Sequence, residues 1–354
     1  WKPRRRPVPW WGAGAVGVWR GGLRGAAWAG SVAMHRAFAG LKADQRHFGY
    51  VYVVYMTTVQ PEVDPTRQMT RQMHGLGRGI MTVSRVEVIG PEMVRVALSG
   101  ERAQTLPFPG WAAGDHVKFV VPNEAGDLEL PAPGEGAGPG PGGRPERGSA
   151  GGRPSLRDLI KGEVRDYTVR HVDREAGEVI VDGAVHEHGP VGRWFANARV
   201  GQQVGLMGPR GSKIFPSGYA HYVLVADETA MPSMGRWLEQ EGLGGRVTLL
   251  TVSAVTDPYP FPEPAGAEVE PHHLVLPLGS ELRGPALAEH LRVALATSPT
   301  PDDVFVWAAG EANALRSVRA LLKELDFPRH ARHLEGYWRE GVVAMDHHQQ
   351  DPDD

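Results

Sequence analysis

The feature that most constrains the fold is a repeated order of strand, polar turn and helix after residue 218. "HYVLVADETA" is a buried apolar strand that ends in polar residues, and "MPSMGRWLEQEG" is a helix that glycine stops. "RVTLLTVSA" is a second buried strand, and "DDVFVWAAGEANALRSVRALLKEL" repeats the order. Apolar strands that alternate with helices predict a parallel sheet, and therefore a doubly wound α/β domain over residues 218–343.

A different pattern occupies residues 79–214. "IMTVSRVEVIGPEMVRVALSG" contains two short alternating strands, and "GWAAGDHVKFVVP", "EVIVDGAVHEH" and "QQVGLMGP" add further ones. Several short strands at this spacing predict a small antiparallel β-barrel. The Gly- and Pro-rich stretch 131–154 interrupts the barrel. We expect it to be a mobile loop insertion, because it has too little apolar surface to bury.

The N-terminal segment, residues 1–78, differs from the remainder in charge. Residues 1–80 hold 12 Lys and Arg against 3 Asp and Glu, whereas the remainder holds 26 against 38. A basic arm of this kind often binds nucleic acid or membrane. We favour an upstream extension, disordered or not translated, because the segment lacks periodicity, and Arg20 and several glycines interrupt any export signal. Residues 344–354 form an acidic tail.

Several classes of chemistry are excluded by what the sequence lacks. The chain has no cysteine, so it supplies no disulfide and no thiolate metal site. The His pairs at 186/188, 272/273 and 347/348 lack the spacing of a metal site. No Ser-His-Asp constellation or P-loop indicates a hydrolase or an NTPase. The longest apolar run, "YVYVVYM", is far shorter than the ~20 residues of a membrane span. Redox chemistry would need a bound organic cofactor, or a metal on His and carboxylates.

The hexamer "RDYTVR" (165–170) has the chemistry that a flavin requires. A flavin needs an aromatic face, hydroxyl or backbone donors near its reactive nitrogen, and a cation for its pyrophosphate. In a strand, Arg165, Tyr167 and Val169 lie on one side and Thr168 on the other. "HGPVGRWFANA" (188–198) adds a turn and a short helix with Arg193. Ligands bind beyond the carboxyl ends of parallel strands, which places "ADET" and "AAGE" at the same site.

The order of these motifs resembles the siderophore-interacting protein family, the flavin-dependent ferric-siderophore reductases of the ferredoxin-reductase-like superfamily. The resemblance covers roughly residues 80–343 and rests on "RDYTVR", "HEHGPVGRWFANARVGQQVGLMGPRGS", "ADETAMPSM", "WAAGEANALRSVRALLKEL" and "GYWREG". It implies a two-domain fold, an antiparallel β-barrel FAD-binding domain followed by a Rossmann-like α/β nucleotide-binding domain. The family usually carries small residues such as Ala-Ser where this chain has Val191 and Gly192.

The resemblance also implies residue roles. Arg165 would contact the FAD phosphate or ribityl region, Tyr167 would pack on the isoalloxazine, and Thr168 would bond near its reactive edge. The cofactor-binding set around them comprises Val169, His188, Gly189, Gly192, Arg193 and Trp194, of which the last three seat the pyrophosphate. Asp227, Glu228 and Thr229 would approach flavin and nucleotide. Gly310 would allow close approach by nicotinamide, and Glu311 and Asn313 would hydrogen-bond it or cap a helix.

The implied activity is hydride transfer from NADPH or NADH to FAD, followed by two single-electron transfers to a ferric siderophore. The resemblance favours NADPH, although "LLTVSAVTDPYP" offers no cation for a 2′-phosphate, which leaves Arg283, Arg316 or Arg319. Lys118, Lys213 and Arg339, with Arg193, are candidates for the site that receives the anionic substrate. Two alternatives stay open: a general NAD(P)H:flavin or ferredoxin-type reductase, and a siderophore-binding protein without activity. We expect a cytoplasmic monomer that binds no nucleic acid.

Overall fold

The computed structural model describes residues 64–132, 135, 157–186, 189–264, 266–300 and 302–342. Most of the predicted loop insertion, the acidic tail and residues 1–63 therefore lie outside the described residues. The elements of the first domain, in chain order, are β1 (Thr70–Met73), β2 (Arg78–Gly90), β3 (Met93–Ser99), α1 (Arg102–Thr105), β4 (His116–Val121), β5 (Glu163–Thr168), β6 (His171–Asp173), β7 (Glu178–Ala184), α2 (Pro190–Ala196), β8 (Gln203–Met207) and β9 (Gly211–Ile214).

Seven of these strands form one antiparallel sheet in the order β5-β4-β8-β2-β3-β7-β6. The two edge strands are consecutive in the chain, and Val169 and Arg170 connect them. The Val169 N–H donates to the Asp115 carbonyl and the Arg170 N–H to the Ile180 carbonyl, each at 3.0 Å. This connection brings the two sides of the sheet together, so the sheet curls around a core that includes Val83, Val96, Phe119, Val181 and Leu206. The predicted antiparallel barrel is confirmed.

The strand β1 lies within the segment 1–78 that the sequence assigns to an extension. It pairs antiparallel with β9, from Thr70 opposite Ile214 to Met73 opposite Gly211. Arg67 pairs with Asp303 at 2.7 Å, and His74 Nε2 lies 2.7 Å from Ser212 Oγ. Residues 64–77 therefore belong to the folded part of the chain. All four residues of β1 are exposed, so the strand has no apolar alternation by which the sequence could reveal it.

The elements of the second domain, in chain order, are β10 (His221–Asp227), α3 (Met231–Leu238), β11 (Arg246–Ser253), β12 (Glu268–Val275), α4 (Arg283–Ala296), β13 (Val304–Glu311), α5 (Ala312–Glu324) and β14 (Arg332–Trp338). Its five strands form a parallel sheet in the order β12-β11-β10-β13-β14. This order confirms the predicted Rossmann-like domain, and it reverses between β10 and β13. Helices α4 and α5 pack Leu291 and Val318 against the sheet face that carries Val225 and Val306, and α3 covers the other face.

The two domains share a hydrophobic core around α3, whose eight residues are all buried. Met93 from the first domain and Phe215 from the connection between the domains belong to the same buried cluster as Trp237 and Trp307 from the second domain. The Phe215 ring lies 5.0 Å from the Trp237 ring. Helix α3 is therefore an internal layer between the curled sheet and the parallel sheet. Within the described ranges, the chain has no helix of the length and apolarity that a membrane crossing requires.

Candidate functional site

The strand β5 carries the "RDYT" residues along an open edge of the curled sheet. Because the Val169 N–H points toward the strand β4 side, strand alternation directs the Thr168 N–H and carbonyl away from β4, toward the open edge. On the face that carries Thr168, Asp166 pairs with Lys118 at 3.1 Å. Arg165 donates from Nη1 to the Val164 carbonyl at 2.6 Å. The strand thus presents backbone donors and acceptors that no neighbouring strand uses.

Tyr167 lies on the other face of β5 and packs among aromatic rings. Its ring centroid is 5.5 Å from Phe119 and 4.9 Å from Phe195 of α2. Burial raises the pKa of Tyr167, so its phenol remains protonated at neutral pH. Trp194 of α2 packs against Phe119 at 5.3 Å. The structure therefore brings the "RDYT" strand and the "GPVGRW" helix into contact.

The turn before α2 depends on two glycines. Gly189 is the residue before the helix and has φ +90, a conformation that side chains disfavour. A Cβ on Gly192 would lie 2.5 Å from Cε1 of the His186 ring, so the imidazole packs directly on the helix backbone. Arg193 is exposed on this helix. His188, the remaining residue predicted here, lies outside the described residues.

Three hydroxyl groups meet where the two domains join. Thr168 Oγ1 lies 2.9 Å from Ser233 Oγ of α3, and Ser233 Oγ lies 2.9 Å from the Tyr337 hydroxyl of β14. Burial raises the pKa of the Tyr337 phenol. Hydrogen bonds with the hydroxyls of Ser233 and Thr168 partly oppose this rise. We name Thr168, Ser233 and Tyr337 the hydroxyl cluster. Ser233 and Tyr337 occur in the motifs "ADETAMPSM" and "GYWREG", but nothing in their spacing indicated that they would meet Thr168.

Asp227 holds together the carboxyl ends of three parallel strands. Its Oδ1 accepts from the Thr229 N–H at 2.9 Å and the Thr229 hydroxyl at 2.6 Å. Its Oδ2 accepts from the Glu311 N–H at 2.7 Å and from Trp338 Nε1 at 2.8 Å. A Cβ on Gly310, which has φ +143, would lie 2.6 Å from Asp227 Cγ. Gly310 is therefore required by the Asp227 carboxylate that packs on it.

Glu228 forms a buried ion pair with Arg283. Arg283 Nη1 and Nη2 lie 2.8 Å and 3.2 Å from the two carboxylate oxygens of Glu228. Burial and the neighbouring Asp227 raise the pKa of Glu228, and Arg283 opposes this. Arg283 also donates to the carbonyls of Leu276 and Pro277. All three guanidinium nitrogens of Arg283 thus donate within the chain.

Glu311 caps the helix α5. Its Oε2 accepts from the Ala314 N–H at 2.6 Å, and its Oε1 accepts from the Glu340 N–H at 3.2 Å. Asn313 lies exposed in the first turn of the same helix. Of the two functions that the sequence left open for Glu311, the structure shows the helix cap.

The lysines predicted to receive substrate already have carboxylate partners. Lys118 pairs with Asp166, and Lys213 Nζ lies 2.8 Å from Glu335 Oε1. Burial opposes ionisation of Glu335, but His333 and Lys213 outweigh it and lower its pKa. Arg339 follows Trp338 at the end of β14, and its Nε is buried without a hydrogen-bond acceptor.

Beside the hydroxyl cluster lies a second polar group that the sequence analysis did not name. Ser212 donates to Asp115 Oδ2 at 2.5 Å and lies 2.7 Å from His74 Nε2. Burial raises the pKa of Asp115 to about 6. In the described part of the chain, no three His, Asp or Glu side chains form a group that could hold a metal ion.

The residues around β5 suit an FAD. Arg165 and Arg193 supply cations for a pyrophosphate, Tyr167 and Trp194 supply aromatic faces, and the open edge at Thr168 supplies backbone and hydroxyl hydrogen bonds. These groups come from β5 and α2, which touch through Tyr167 and Phe195. The donor set therefore fits the cofactor that the resemblance implies.

A curled antiparallel sheet followed by a doubly wound parallel sheet defines a two-domain class of protein. Its first domain is a β-barrel of the FAD-binding type, and its second is a Rossmann-like domain of the nucleotide-binding type. The siderophore-interacting FAD-binding domain matches residues 82–213, and the siderophore-interacting protein domain matches residues 219–341. The chain belongs to the siderophore-interacting protein family.

Individual relatives agree with this assignment. The crystal structure of a siderophore utilization protein from T. fusca is 34% identical, with a TM-score of 0.60, and the match covers 79% of this chain and 100% of that chain. The ferric vibriobactin reductase of Vibrio cholerae is 24% identical over 80% of this chain and 97% of its own length. The NADPH-dependent ferric-chelate reductase of Escherichia coli is 31% identical over 45% of this chain and 55% of its own length.

Proposed function

We propose that the protein is an FAD-dependent reductase that transfers electrons from NAD(P)H to a ferric siderophore and releases ferrous iron. The observation that carries the proposal is the contact between Thr168 of β5 and Ser233 of α3. It joins the strand suited to a flavin to the domain whose strand ends suit a nucleotide. The names of the V. cholerae and E. coli relatives support the same activity and NADPH as the donor.

The overall reaction consumes one NAD(P)H and two ferric ions, and it yields NAD(P)⁺, two ferrous ions and one proton. Bound FAD would supply a group that accepts two electrons as one hydride and passes them on one at a time. Ferrous iron binds hard oxygen ligands less tightly than ferric iron does, so reduction itself would release the metal from the siderophore.

The chain's own residues would bind and orient the reactants. Arg165 and Arg193 would offset the charge of the FAD pyrophosphate, and Tyr167 and Thr168 would lie along its ring. Asp227 and Glu311 would keep the strand ends in place, with Thr229, Gly310 and Asn313 around the nucleotide. Lys118, Lys213 and Arg339 would attract an anionic ferric complex, with Asp166 and Glu335 as internal partners of the two lysines.

The visible spectrum of the purified protein tests this function. We expect the purified protein to contain bound flavin, and we expect NADPH or NADH to bleach the flavin absorbance in the absence of oxygen. Addition of a ferric siderophore should then restore the absorbance, and a ferrous chelator should trap the iron that is released. Reoxidation by free flavin or ferredoxin alone would instead support the general reductase. Failure to bind flavin would support a siderophore-binding protein without activity.

The proposal also includes a monomer in the cytoplasm. Sedimentation of the FAD-loaded protein at micromolar concentration would check the oligomeric state. Fractionation of the cells that make it, with the flavin absorbance as the marker, would check the compartment.

A further inference from the structure

The hydroxyl cluster lies at the junction of three elements from two domains, with Thr168 and Ser233 buried and Tyr337 partly buried. Thr168 is 5% exposed and Ser233 is 0% exposed. Ser233 bridges the other two hydroxyls at 2.9 Å on each side. A buried hydroxyl without a partner is unfavourable, so the three groups are constrained to bond to one another or to a ligand at the open edge of β5.

The cluster can be hydrogen-bonded in two directions. Each hydroxyl has one hydrogen to donate and two lone pairs that accept. If Tyr337 and Ser233 donate toward Thr168, the Thr168 hydrogen is left to donate outward. If Thr168 donates inward to Ser233, its oxygen is left to accept from outside. Burial raises the pKa of Tyr337, so its phenol keeps the hydrogen that it donates in the first arrangement.

A flavin makes opposite demands on this position in its two redox states. Its reactive ring nitrogen is a hydrogen-bond acceptor when oxidised and carries an N–H donor when reduced. We propose that the hydroxyl cluster reverses its hydrogen-bond direction with the redox state of FAD, so that Thr168 donates to the oxidised form and accepts from the reduced form. This inference rests on the proposed function. Ser233 and Tyr337 are positioning residues that act through Thr168.

The test removes both internal partners of Thr168 in the double variant Ser233→Ala/Tyr337→Phe. Oxidised FAD still receives the Thr168 hydrogen in this variant, whereas with reduced FAD that hydrogen has no acceptor and is buried. An unpaired buried donor should weaken binding of reduced FAD by about tenfold relative to oxidised FAD. The midpoint potential of bound FAD should shift to a more negative value. Each single variant should shift it in the same direction by less.

Two measurements that do not depend on turnover provide the readout. Titration of FAD into the apo-protein gives the affinity for oxidised FAD, and equilibration with a reference dye gives the potential. Ser212→Ala is the matched control, because it removes one 2% exposed serine hydroxyl at the same domain interface, bonded to Asp115 and not to the cluster. We expect it to leave the potential unchanged.

The possible outcomes separate the inference from the proposed function. A wild-type protein that binds no FAD overturns both. A wild-type protein that binds FAD, with the same potential in the double variant and in Ser212→Ala, overturns the inference alone. If the double variant does not fold, the single Tyr337→Phe variant still decides, because a potential equal to wild type contradicts the reversal.

Discussion

At the scale of the single residue, the Asp227 carboxylate accepts four hydrogen bonds, which no pattern in the sequence indicated. Its carboxylate accepts two from Thr229, one from the Glu311 backbone and one from the Trp338 indole. These donors come from the turn after β10, the end of β13 and the end of β14. One buried side chain therefore sets the spacing of three strand ends around the proposed nucleotide site.

Asp227→Asn should destabilise the protein by about 2 kcal/mol or more, because an amide hydrogen would face a donor and a charged acceptor would be lost. Unfolding by urea, followed by fluorescence, measures this change. Asn313→Ala is the control, since Asn313 is exposed at the same edge and its removal should cost less than about 0.5 kcal/mol. Equal midpoints for the two variants would show that the Asp227 hydrogen bonds contribute little.

Asp115 gives a second residue-scale prediction, which concerns pH. Its folded-state pKa is raised to about 6 from 3.8 by burial. The folded chain therefore holds a proton that the unfolded chain has lost, and wild-type stability should fall as pH rises from about 4 to 6. Asp115→Asn does not titrate, so its stability relative to wild type should improve by about 2 kcal/mol across that range.

Urea midpoints of both proteins at pH 4.5 and pH 7.5 test the Asp115 prediction. Other titrating groups cancel when the variant is compared with wild type at each pH. A constant difference between the two proteins would mean that Asp115 is ionised throughout, with Ser212 and the more distant Arg236 sufficient to stabilise its charge.

At the scale of the element, β1 adds an N-terminal strand to the first domain. Its ladder with β9, the Arg67–Asp303 pair and the contact of His74 with Ser212 attach residues 64–77 to both domains. A chain that begins at Asp64 should retain them, and a chain that begins at Gly79 should lose them all.

We expect the chain beginning at Gly79 to melt at least about 5 °C below the chain beginning at Asp64, because it loses the β1–β9 ladder, the Arg67–Asp303 ion pair and the His74–Ser212 contact. The chain beginning at Asp64 should melt like the full chain. Differential scanning calorimetry of the three proteins measures this. Identical melting of the two shortened chains would show that β1 is a peripheral addition, as the sequence interpretation of residues 1–78 holds.

The elements that the sequence predicted are those with a buried face. The strands β10, β11 and β13 are almost wholly buried and were evident as apolar runs. The edge strand β12 was not predicted, because Pro271, His272 and His273 break its apolar pattern and its residues are half-buried or exposed. The hydroxyl cluster was not predictable because Ser233 is 65 residues from Thr168 and 104 from Tyr337.

At the scale of the whole molecule, a polar network in which Arg170, Asp182 and Tyr259 are buried links the two domains beside their shared core. Arg170, after β5, donates to both carboxylate oxygens of Glu239, at 2.5 and 2.8 Å, and from Nε to the Tyr259 hydroxyl at 2.9 Å. The Tyr259 hydroxyl donates to Asp182 of β7 at 2.5 Å. The network therefore runs from the curled sheet to the segments that follow α3 and β11.

Arg170→Met should destabilise the protein by about 2 kcal/mol, because it leaves the buried Tyr259 hydroxyl without the donor from Arg170 Nε. The lost pair with Glu239 adds little, since that carboxylate is 40% exposed. Arg292→Met is the matched control, since Arg292 pairs with Glu324 on the surface of a single domain and should matter little. Hydrogen exchange should show faster opening of β7 and α3 only in the first variant. Equal exchange in both would indicate that the shared apolar core suffices.

The chain passes from the first domain to the second through Phe215, and this residue is 2% exposed. Its ring packs 5.0 Å from Trp237 and 5.3 Å from His333. The connection between the domains is thus buried at Phe215 and is not a flexible linker. One practical consequence is that the two halves are poor candidates for modular exchange between relatives. A chimaera joined at this point would bring a foreign α3 and β14 against Phe215, and would require Trp237 and His333 to be transplanted together with it.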